Sequence, residues 1–211
     1  MFDHYIGLGL NCEVAVQLRR VSGCPRAHVF DWQLTLQQSL VHVLRTDFAD
    51  YFQLDNLVVS ENRRHVLDTA TGLEFHHLFT QNYDGTILPQ RMVREYPKVR
   101  ARADHLVRRW RETVASDQSV LYVRRDPGDD LTADDMVELR DVLRECYPTH
   151  RFAVLWARDV RDEEGVTQLD DGIFEAQVPV LRPREEFWQG DAAAWDRLYP
   201  LLQRLPVLAG V

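Results

Sequence analysis

Cysteine is scarce in this chain. The three that occur, Cys12, Cys24 and Cys146, form no CxxC pair and no zinc-finger spacing. An odd, unpaired set argues against a disulfide framework and fits free thiols in a reducing compartment. No apolar run approaches the length of a membrane span. The opening Met1-Phe2-Asp3-His4 lacks the basic region and apolar stretch of a secretory leader. A cytoplasmic protein with no membrane partner is the expectation. Positive charge is also short, with 25 Lys+Arg against 33 Asp+Glu and a net charge of -8. The basic footprint that phosphate-backbone binding requires is therefore missing, and no nucleic-acid role is expected. Basic residues do cluster between Arg91 and Arg111, but acidic and apolar positions are mixed among them. There is no GxGxxG or Walker pattern, no internal repeat and no low-complexity tract. No obligatory cofactor is expected.

What is present is an ordinary globular composition of 211 residues, 45% hydrophobic and 27% charged, enough to bury one sizeable core. The clearest fold signal runs from Ser119 to Ala157. A buried-strand candidate at Val120-Leu121-Tyr122-Val123 is followed by a helix capped at Thr132-Ala133-Asp134-Asp135 with Met136, Leu139 and Leu143 inward. Phe152-Ala153-Val154-Leu155-Trp156 then reads as the next strand. This succession predicts an α/β fold: a mainly parallel or mixed central sheet flanked by helices, in a single domain covering residues 1–211. Further helices are expected at Glu13–Val21, Leu36–Leu44 (with Thr35 as cap), Gln90–Val114 (broken near Pro97) and Trp195–Leu205. Short β-prone runs occur at Leu57–Val59 and His65–Leu67, and Ile173–Val180 reads as an edge strand. Residues 159–171 read as an exposed acidic loop, and 187–211 as a carboxyl-terminal appendage packed on the core.

Cys12 stands where the glycine-containing run Tyr5-Ile6-Gly7-Leu8-Gly9-Leu10-Asn11 gives way to helical spacing at Val14, Ala15, Leu18 and Val21. A thiol at a helix N-terminus sits near unpaired backbone N–H groups and the positive end of the helix dipole. Both favour thiolate, and the N–H groups suit an oxyanion. A small buried residue filling space is the competing reading. A nucleophilic cysteine needs a base and an acceptor that orients it. The adjacent His76 and His77, bracketed by Phe75 and Phe79, are the best base candidates, and in an extended segment only one faces the thiol. His4 and His28 are weaker rivals, and His42, His65, His105 and His150 read as structural. Metal chemistry is not favoured, because His76-His77 lack a third ligand at a convincing spacing. Asp31, between Phe30 and Trp32, needs a partner if buried. A histidine partner gives a triad; backbone N–H groups or an arginine make it a loop-structuring residue. Asp84 and Asn82 are alternative orienters. Asn11 is a candidate oxyanion or substrate contact, as is Arg124 at a strand end.

The run Ile6-Gly7-Leu8-Gly9-Leu10-Asn11-Cys12 through Leu18-Arg19-Arg20, with Val29-Phe30-Asp31-Trp32, resembles a bacterial family of unknown function described as papain-like cysteine peptidases. The family pattern has Ser-Leu-Gly, two residues and Cys, then Ala, Leu-Arg-Arg and a later Pro-Phe-Asp-Trp. Gly7 replaces its Ser and Val29 its Pro, while the cysteine, Phe30, Asp31 and Trp32 are intact. His77-Leu78-Phe79 is similar to a His-Asp-Phe element, with Leu78 in place of the acid. Lys98 to Arg109 and Val120 to Arg124 match a basic helix and a strand ending in Arg. The resemblance implies a cysteine-dependent hydrolase, a peptidase or amidase, working through a thioester with Cys12 as nucleophile, His77 as base and Asp31 or Asp84 as orienter. Its substrate would be a peptide or a small-molecule amide or ester. An acyltransferase is the same chemistry with an amine or hydroxyl acceptor, and a non-catalytic α/β ligand- or protein-binding domain is the remaining alternative. Oligomeric state is left open.

Overall fold

In a computed structural model, residues 1–159, 165–183 and 186–207 are described. The chain runs β1 (His4–Gly7), α1 (Glu13–Ser22), β2 (Gln33–Leu34), α2 (Gln37–Arg45), β3 (Leu57–Val59), β4 (Val66–Asp68), β5 (Leu73–Phe75) and α3 (Pro89–Val114). It continues through β6 (Ser119–Asp126), α4 (Ala133–Cys146), β7 (Arg151–Arg158), β8 (Val166–Asp170), β9 (Ile173–Gln177) and α5 (Ala192–Leu202). The expected α/β fold with a mixed central sheet and flanking helices is what forms. Its order is β1-β6-β7-β9-β8, parallel except for the antiparallel β8–β9 pair.

Why these segments make such a sheet is visible in β6 and β7. Alternate side chains leave opposite faces of a strand, and here both faces are covered, so the runs are continuously apolar. Val120, Tyr122, Phe152, Val154 and Trp156 enter one core with residues of α2, α3 and α4. Leu121, Val123, Ala153, Leu155 and Ala157 enter a second core with α1 and α5. Thr132 caps α4 through a reciprocal capping box with Asp135.

Several elements depart from their sequence-based assignment. β9 is an interior strand, because β8 reverses at Asp171-Gly172 and lies outside it. Val166–Asp170 is therefore an exposed edge strand rather than part of a loop, and residues 160–164 lie outside the described residues. Leu36, not Thr35, is the cap residue of α2, and its side chain makes no cap bond. Pro97 lies inside an unbroken α3. A second, antiparallel sheet of order β2-β5-β4-β3 was not foreseen. In the carboxyl-terminal segment, Trp195 of α5 is fully buried in the second core, and residues 208–211 are outside the described set.

The carboxyl end of β6 carries three buried charged residues in succession, Arg124, Arg125 and Asp126. Period-2 alternation sends the two guanidinium groups to different elements. Arg124 donates to the carbonyls of Leu8 (2.8 Å) and Thr35 (2.7 Å). Arg125 donates from Nε to both carboxylate oxygens of Glu13 at 3.2 Å, and onward to the carbonyls of Ala157 and Val178. Trp195 Nε1 adds a 3.0 Å bond to the same Glu13 carboxylate. Removing one partner of a buried ion pair leaves the other charge desolvated, at a cost of about 3–5 kcal/mol. Glu13→Ala is accordingly expected to lose stability on that scale in urea unfolding. A paired Glu13→Leu/Arg125→Met change should cost clearly less than the sum of the two single changes, and an additive result would contradict this account.

Candidate active site

Gly9 has a left-handed φ of 79°, and a Cβ there would stand 2.4 Å from Thr35 Oγ1. Only glycine lets the backbone turn here against the segment leaving β2. The turn delivers Cys12 to the N-cap position of α1, where its side chain makes no capping bond. Asn11 Oδ1 instead accepts the Glu13 backbone N–H at 3.2 Å. Asn11 thus helps begin the helix through its side-chain oxygen, and it also lines the cavity described next.

Cys12 lines a cavity of about 530 Å³. Its wall includes Asn11 and Glu13 from the start of α1, Trp32 and Leu34, His76 and His77, and Phe187 and Trp188 from the carboxyl-terminal segment. Volume and apolar lining are those of a small-ligand site. The cavity joins the two sheets: Cys12 follows β1 of the parallel sheet, and the histidines follow β5 of the antiparallel one. His77 is exposed and meets the Trp32 ring edge-on at 6.3 Å. Trp32 itself has a φ of 66° and lies under the Arg19 guanidinium at 5.3 Å.

Asp31 does not complete a triad. Its carboxylate is bonded by Arg19 and by the His28 backbone N–H at 2.8 Å, the loop-structuring alternative. Burial raises its pKa, opposed by the His28 N–H and by Arg19. Asp84 is exposed, with its carboxylate taken by the backbone N–H and hydroxyl of Thr86, so it too is turned to its own turn. Arg124 is fully buried on backbone carbonyls and offers no anion site at the cavity. Of the rival bases, His28 is pushed down to about 3, chiefly by burial, with His4 and nearby arginines adding to it.

Burial, with the Asp31 charge behind it, pushes Cys12 up to about 11. This direction runs against the expectation that the helix position favours thiolate, with burial of the sulfur its larger cause. Sequence reasoning gave Trp32 no place at the site and left open whether the Phe187-Trp188 segment covers a cleft or packs a core; all three line the cavity. An aromatic beside Asp31 and an aromatic pair after the sheet were the available signals.

A second group of polar side chains lies beside the cavity. His65, Glu74 and His76 place their ligand atoms within 4.8 Å of one another. The β4–β5 register explains this. Val66 faces Phe75 and Leu67 faces Glu74, so His65 falls opposite His76 by continuation. Val66, Leu73 and Phe75 fill the core, which leaves the alternate positions 65, 74 and 76 on the other face. The residues gathered around His76 are thus Glu74 and His65, not His77.

Comparison with protein families matches residues 3–151 to the family described as "Putative papain-like cysteine peptidase (DUF1796)". Comparisons with curated proteins and with solved structures give no match. Alkylation of the folded protein tests the state of the thiol. The Cys12 rate with iodoacetamide should climb about tenfold per pH unit through the neutral range, since only the thiolate reacts. Asp31→Asn removes a negative charge that raises the thiol pKa, so it should speed labelling at fixed pH. A rate already level at pH 7 would contradict the resting-thiol assignment.

Proposed function

The chain belongs to the family of putative papain-like cysteine peptidases, and from that premise we propose that it is a cysteine-dependent hydrolase of amide or ester substrates. The observation that carries this reading is the shared cavity: Cys12, at the start of a helix, lines the same space as His76 and His77. Cys12 Sγ attacks the substrate carbonyl carbon and forms the thioester bond. Its proton passes to the His77 ring and from there to the departing amine or alkoxide as the C–N or C–O bond breaks. Water then attacks the thioester, giving its proton to His77, and the acid product leaves as the thiol is restored. Backbone N–H groups at the first turn of α1, beginning with that of Cys12, receive the oxyanion.

His77 is the base in this reading because it is solvent-accessible and oriented by Trp32, whereas His76 lies against Glu74 and His65. Asp31 is a positioning residue: it holds Arg19 over Trp32. Because the resting sulfur is a thiol, proton removal accompanies attack instead of preceding it. The apolar wall of Leu34, Val180, Leu181, Phe187 and Trp188 suits an acyl group with a hydrophobic side chain. An amine or hydroxyl entering in place of water makes the same intermediate an acyltransferase. The high thiol pKa specifically favours a second reading, a cavity that binds a ligand without turnover.

Acid-quenched reactions with a panel of chromogenic acyl amides and esters, followed by intact-mass measurement, separate these readings. The wild-type chain should carry an acyl adduct that Cys12→Ala lacks. His77→Ala should lower turnover by about 100- to 10,000-fold, the usual contribution of a general base. An adduct that persists in Cys12→Ala, or binding of the panel with no adduct and no turnover, would remove the hydrolase reading.

A further inference from the structure

We propose that His65, Glu74 and His76 form a binding site for a divalent metal ion of the zinc class. The argument is geometric and independent of the cysteine chemistry. His65 Nε2 stands 3.1 Å and His76 Nε2 3.6 Å from the same oxygen, Glu74 Oε2. Around a tetrahedral zinc with ligand distances near 2.0–2.1 Å, neighbouring donors are separated by about 3.3 Å. These two separations bracket that value, and all three donors lie within 4.8 Å of one another, so side-chain adjustment can close them on one ion.

The ligand chemistry is suited to this class. Two imidazoles and one carboxylate are a common catalytic-type zinc set, whereas calcium and magnesium prefer sites made of oxygen alone. The two imidazole rings are stacked, with centroids 4.9 Å apart and planes 13° off parallel, and both Nε2 atoms approach Glu74 Oε2. The donors are half-buried, and the His76 Nε2 atom is itself buried without a hydrogen-bond partner. Glu74 Oε2, at 3.6 Å, is beyond hydrogen-bond reach of this ring nitrogen, and coordination to a shared ion would satisfy both.

The scaffold is also appropriate. All three donors lie on or beside adjacent strands in fixed register, which holds them more firmly than a loop would. Three protein ligands leave a fourth position, and His76 is the member that lines the Cys12 cavity. Water or an anionic group of a cavity ligand would complete the coordination. The ion would bind β4 to β5 and restrain the bend at residues 76–79 that carries His77.

Titration calorimetry of the full chain with zinc chloride tests the assignment. One zinc per chain should bind, with affinity falling by roughly 100-fold in His65→Ala and in the near-isosteric Glu74→Gln. Cys12→Ser and His77→Ala should keep wild-type affinity, because neither side chain belongs to the donor set. Circular dichroism establishes that each variant is folded before titration. The proposal is overturned by the absence of saturable binding to the wild-type chain. It is equally overturned if His65→Ala and Glu74→Gln bind as the wild type does, or if affinity follows Cys12. Loss of hydrolysis in any of these variants leaves the zinc result unchanged, so the two readings fail separately.

Discussion

The ion pair between Glu13 and Arg125 is the constraint on which the site depends. Neither group has meaningful access to water, so each is tolerable inside the protein only while the other is in place. The pair joins the first turn of α1 to the ends of β6 and β7, to the segment after β9, and through Trp195 to α5. Cys12 is the residue immediately before Glu13. Its position is therefore fixed by a network spread over five elements rather than by the glycine turn alone. On the opposite face of the same strand, Arg124 fastens Leu8 to Thr35 and so ties the cysteine loop to the segment leaving β2. Asp126 completes the run by accepting the backbone N–H groups of Asp130 and Leu131, which folds the loop before α4.

Electrostatics at the sulfur run against the simplest picture of a helix-activated cysteine. A helix terminus contributes a partial charge at the surface, and its effect is modest. Burial of the sulfur and a nearby carboxylate act on the same atom in the opposite direction. Both act to favour the protonated form of the Cys12 sulfur.

Much of the architecture was readable because it rests on local periodicity. The β6–α4–β7 unit has two continuous apolar runs around a capped amphipathic helix, and only one class of fold accommodates that pattern. The antiparallel sheet was harder, because strands of two or three residues are too short to show an alternation. The placement of β9 depends on a reversal beyond it, at Asp171-Gly172, that brings an outer strand to its free edge. At the site, the positions of Cys12 and the two histidines followed from where strands end. The partners of Asp31 and Arg124 did not. Asp31 meets an arginine one helix earlier, and Arg124 is satisfied by carbonyls that only the folded loops present. Side-chain type said that these charges needed partners; tertiary structure alone decided which.

The cavity is assembled from two unequal inheritances. The floor, with Cys12, Trp32, His76 and His77, falls within residues 3–151, the stretch shared with the family. Val180, Leu181, Phe187, Trp188 and Gly190, which close the other side, come from beyond it. The two sides of the cavity are thereby carried on separate lengths of polypeptide, one inside the family match and one after it.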